Sequence, residues 1–72
     1  MTEIEQLASE IMQAASRHGV DRGKRFLVAN KSVQGWSVCG YADLKIALEL
    51  AYSLAKEAIK WGYPEVYLLA RS

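Results

Sequence analysis

The chain predicts one α+β domain spanning residues 1–72, in the order α-β-β-α-β: a two-layer fold with a three-stranded antiparallel sheet and helices packed on one face. Three observations carry this prediction. Two segments repeat apolar residues at three- and four-residue spacing, the period of a helix packed along one side. Three shorter runs are rich in Val, Tyr, Leu and other residues that suit a pleated surface. Glycine, aspartate, serine and the single proline fall between those runs, where they punctuate elements.

In the first helix, Thr2 and Glu5 form a capping box in which each side chain answers a backbone N–H. Ile4, Leu7, Ala8, Ile11, Met12, Ala15 and His18 then share one face. Gly19 is the expected left-handed stop, with Val20 folding back on the last turn. Glu3, Glu5 and Glu10 lie toward the start and Arg17 toward the end, as the helix dipole favours.

Asp21 to Lys24 reads as a loop, Arg25 to Lys31 as a strand, Ser32-Val33-Gln34-Gly35 as a turn, and Trp36 to Tyr41 as a second strand. So short a connection implies an antiparallel hairpin. Asp43 caps a second helix that runs to about Trp61 and stops at Gly62. Pro64 prevents continuation and holds Tyr63 extended. Glu65 to Arg71 supplies the third strand.

The second helix is apolar over an arc of about 200°, from Leu44 and Ala47 through Leu48, Leu54 and Ile59, where a helix on a sheet needs a stripe of only about 100°. The surplus asks for a neighbour, most simply the first helix. Strand alternation gives the sheet a core face (Phe26, Val28, Trp36, Val38, Val66, Leu68, Ala70) and a mixed face (Leu27, Ala29, Lys31, Ser37, Cys39, Tyr41, Tyr67, Leu69, Arg71). A right-handed crossover sets the third strand beside the first, giving order 2-1-3 with all neighbours antiparallel. Both helices then lie on the core face, with Trp36, Leu48, Ala51, Leu54 and Leu68 in the core. The competing layout sends the first helix across the mixed face as a lid.

Composition bounds the function. The chain is 51% hydrophobic and 24% charged with a formal net charge of +1, so no strong field draws it to nucleic acid or an anionic membrane. One cysteine permits no internal disulfide. The start lacks a basic, then apolar, leader pattern and no apolar run reaches membrane-span length, which makes the cytoplasm the expected compartment.

One His and one Cys cannot supply a metal site, and nothing in their context joins His18 to Cys39 as base and nucleophile. Residues 19–24 lack the spacing of a phosphate-cradling glycine loop. No cofactor and no enzymatic activity are therefore expected. What remains is binding. The mixed face offers Tyr41, Tyr67, Leu69 and Arg71, and the loop adds Arg22, Lys24 and Arg25, a combination of aromatic and arginine side chains suited to a protein partner. Two other readings stay open: an RNA-binding sheet on which Tyr41 and Tyr67 stack bases, and a homodimer that hides the mixed face. The element order shares parts with KH-type RNA-binding domains, without their GXXG clamp.

Ala58-Ile59-Lys60-Trp61-Gly62-Tyr63-Pro64-Glu65-Val66-Tyr67-Leu68-Leu69 is an alanine-rich helix end running through W-G-x-P into a Val/Tyr/Leu strand. It resembles small phage anti-CRISPR proteins of the type I-F group. The order hairpin, helix, strand, with Ala47-Leu48-Glu49-Leu50-Ala51 early in the helix, is similar to a small phage inhibitor of bacterial RNA polymerase, although only Arg71 is basic in the strand where that inhibitor is basic. The resemblance implies a non-catalytic inhibitor that blocks a surface of a host protein or nucleoprotein complex in the host cytoplasm.

Overall fold

The structure, a computed structural model, describes residues 2–61 and 65–71. Its elements are α1 (Glu3–Arg17), β1 (Phe26–Ser32), β2 (Gly35–Tyr41), α2 (Leu44–Trp61) and β3 (Val66–Ala70). The sheet order is β2-β1-β3 with both pairings antiparallel, so the α+β class and strand order are those expected. The expected stop at Gly62 and the extended Tyr63-Pro64 lie outside the described residues.

Local chemistry explains the helix ends. Glu5 N–H donates to Thr2 Oγ1 at 3.2 Å, which caps α1. At the other end Gly19 adopts φ 72°, a conformation glycine enters without strain. There Val20 N–H reaches back to the Ala15 carbonyl and Gly19 N–H to that of Ser16, the paired bonds of a Schellman stop. Lys45 N–H donates to Asp43 Oδ1 at 2.9 Å, which starts α2.

The layering differs from expectation. α1 lies on the face of Leu27 and Ala29, where Ile11, Ala14 and Ala15 pack with Val38 and the half-buried Val20, Trp36, Tyr67 and Leu69. α2 lies on the opposite face, against Val66 and Leu68. The helices are therefore not on one face; the sheet is sandwiched between them. Leu27, Val28 and Ala29 are consecutive and all buried, as a central strand covered on both sides requires.

The hairpin register accounts for part of the error. Ser32 pairs with Gly35 across the two residues Val33 and Gln34, so every pair joins an even to an odd position, such as Ala29 with Val38 and Lys31 with Trp36. Cross-strand partners share a face. Trp36 and Val38 thus belong with Leu27 and Ala29, while Ser37, Cys39 and Tyr41 stand with Phe26 and Val28. The two β2 sets are exchanged relative to the sequence reading, the consequence of a one-residue change in register.

Gly40 permits the approach of the α1–β1 loop. A Cβ there would lie 2.5 Å from Val20 Cγ1 and 2.7 Å from Lys24 Cβ, so the loop rests directly on this strand.

Candidate interaction surface

α2 is seated on small residues. Ala47 and Ala58 are buried and Ala51, Leu54 and Ala55 half-buried, whereas Leu44, Ile46, Leu48, Leu50, Tyr52 and Ile59 are all exposed. Leu48, expected in the core, is 51% exposed. Alanine lets helix and sheet approach closely, and this seating turns the larger side chains outward. At 100° per residue they leave α2 on two flanks. Leu44, Leu48, Tyr52 and Ile59 take the flank beside β3; Ile46 and Leu50 take the other.

On the first flank an open groove of about 560 Å³ runs between helix and sheet, lined by Leu48, Tyr52, Ala55, Val66 and Leu68 among others. Lys56 Nζ sits 4.9 Å from the centroid of the Tyr52 ring, laying its stem along this edge. The wide apolar arc was legible in the sequence, but its surplus meets solvent rather than α1.

The residues proposed from sequence are not gathered on one surface. Tyr67 and Leu69 are half-buried beneath α1. The Tyr67 ring lies 5.8 Å from that of Trp36, tilted by 56°, across the small Ala29 of β1. Lys31 Nζ sits 5.6 Å from the centroid of the Trp36 ring. Tyr41 is on the other sheet face. Arg22, Lys24 and Arg25 are exposed on the loop.

Arg71 is a structural clamp. Its Nε donates to the Lys24 carbonyl at 2.9 Å and its Nη2 to the Asp21 carbonyl. Its guanidinium therefore braces the basic loop instead of projecting from the sheet.

Both tyrosines hold their protons more tightly than usual. Burial raises the Tyr67 pKa above its ordinary value, and the Glu65 carboxylate adds to the shift through its charge and a hydrogen bond. Burial also raises Tyr41, aided by the neighbouring Cys39 thiol.

His18, expected at the buried end of the α1 stripe, is exposed. Its Nε2 lies 3.0 Å from the Trp36 carbonyl. A carbonyl only accepts, so Nε2 carries the proton of this bond. Cys39 is a free, exposed thiol on the face away from α1. Among the described residues no group of three or more His, Cys, Asp or Glu is placed to hold a metal ion. No helix among them is long and apolar enough to cross a membrane.

No protein-family model, curated protein or solved structure matches this chain.

Proposed function

We propose that this protein acts by occupying a surface of a larger macromolecular partner, as a stoichiometric blocker without chemistry of its own. The seating of α2 carries this reading. A helix that served only to cover the sheet would turn its leucines inward; here Ile46, Leu48, Leu50, Tyr52 and Ile59 face solvent. Apolar surface of that extent on so small a chain is characteristic of an interaction site.

The partner fitting this surface is another protein, within a host protein or nucleoprotein complex. The W-G-x-P likeness to phage anti-CRISPR proteins adds the inhibitory role and a host cytoplasmic setting. The exposed Arg22, Lys24 and Arg25 would steer approach to an acidic or phosphate-rich rim. The contact surface moves accordingly from Tyr67 and Leu69, which α1 covers, to the outward side of α2 at Ile46 and Leu50.

The test is capture from bacterial lysate by the tagged protein, with and without nuclease, beside folded Ile46→Glu and Leu50→Glu variants. Nuclease-resistant capture of one large complex, lost in both variants, is the expected result. Recovery solely through nucleic acid would move the protein to the RNA-binding class. No capture, or capture that both variants retain, would overturn the assignment to this flank of α2.

A further inference from the structure

We infer that the groove-side flank of α2 is the seam of a two-fold dimer, in which α2 of one copy lies antiparallel against α2 of a second. Leu48, Tyr52, Ala55 and Ile59 recur at intervals of four, three and four, the spacing of a seam between two helices. Leu48 is 51%, Tyr52 64% and Ile59 80% exposed, so this row is open along the helix. Its inner border, Ala51 and Ala58, already rests on the sheet. Its outer border carries Glu49 and Lys56, seven residues apart and of opposite charge.

That charge order singles out a second copy as the occupant. With the helices antiparallel and Tyr52 opposite Ala55 of the second copy, Leu48 stands opposite Ile59 of the second copy. Large then meets small in the middle layers and apolar meets apolar at the ends. In this orientation, outer border meets outer border, so Glu49 of each copy comes beside Lys56 of the other. An isologous interface makes each such contact twice, giving two ion pairs from one pair of residues. In a parallel arrangement each outer border would face the partner's inner border, the alanines already held by the sheet, and the charges would have no counterpart.

The groove beside β3 opens along this seam, and Lys56 already lies along its edge over Tyr52. Ile46 and Leu50 stay on the outside of the dimer. The two α2 flanks thus divide between a second copy and the larger partner.

Sedimentation over a wide concentration range tests this with the chain alone, folding of each variant being checked by circular dichroism. The wild type should pass to twice the chain mass as concentration rises. Ile59→Glu should weaken the dimer about a hundredfold, and Glu49→Lys or Lys56→Glu alone about tenfold. The double reversal, Glu49→Lys with Lys56→Glu, should return to within about threefold of wild type, because the pairs re-form with their signs exchanged. A wild type that stays monomeric up to about 1 mM overturns the dimer. A dimer that the double reversal fails to restore overturns the antiparallel seam. Neither result bears on capture of a partner through Ile46 and Leu50, so the two proposals fail separately.

Discussion

Arg71 and Lys24 stand 47 positions apart in the chain, and a 2.9 Å hydrogen bond from Arg71 Nε to the Lys24 carbonyl joins them. Arg71 also donates from Nη2 to Asp21 and from its backbone N–H, at 2.8 Å, to Arg25. One residue just beyond β3 therefore ties down the stretch from Asp21 to Arg25 in the loop between α1 and β1. Truncation to alanine removes the two side-chain bonds and should lower stability by about 1–2 kcal/mol. Arg71→Lys should recover less than half of that loss, since an ammonium does not reproduce the planar fork. Urea denaturation of the three proteins measures both; an Arg71→Ala protein as stable as its parent would return this side chain to the surface role expected from sequence.

Two leucines report on the layering. Leu27 has no exposed surface and fills the centre of the α1 layer, so Leu27→Ala should destabilise by about 2–5 kcal/mol. Leu48 is half-exposed on α2, and Leu48→Ala should cost less than about 1 kcal/mol. Thermal melts at low concentration, where association does not contribute, compare them. Were both helices on one face, the order of the two losses would reverse.

Gly40 is sensitive for a reason of space. Its backbone φ is not in the left-handed region, yet Gly40→Ala brings a methyl against Val20 and the Lys24 stem. The loop must lift from β2, at a cost of about 1–3 kcal/mol. Hydrogen exchange should show faster opening of residues 20–25 in this variant than in its parent.

Alkaline pH should weaken the fold through Tyr67 and Tyr41. A raised phenolic pKa in the folded state means that folding favours the protonated form of Tyr67 and Tyr41. Their contribution is fully present below the ordinary tyrosine value of 10.0 and is lost as pH rises through the higher folded values. Stability measured from pH 8 upward should hold level and then fall on passing the ordinary phenol range, about 10. Tyr67→Phe with Tyr41→Phe should shallow that fall, and an unchanged profile in the double variant would assign it to other groups.

Element order was legible because each boundary has a local cause: Thr2 and Asp43 at helix starts, Gly19 at a stop, Val33-Gln34 at the hairpin tip. The strand order followed from chain connectivity. Which side each helix takes was not legible from apolar arc width, because Ala47, Ala51 and Ala58 could seat α2 while leaving Leu44, Leu48 and Leu50 outside. Trp36 and Val38 changed face because register depends on whether the hairpin loop has two residues or three. That signal was present in the sequence: Ser32 facing Gly35 leaves two. The clamp made by Arg71 was not legible, since its acceptors are backbone carbonyls, which every residue possesses and no sequence pattern marks.

The central position of β1 sets a hazard during synthesis. Its hairpin partner follows within a few residues, but the strand for its other edge arrives only after all of α2. Until then Leu27, Val28 and Ala29 present an apolar ribbon with one row of backbone donors and acceptors unsatisfied. Closing that edge is the non-local step, slower than forming the hairpin or either helix. Nascent chains crowded on one messenger are thus most prone to pair with one another in this interval, and a chain halted before residue 66 would remain in it.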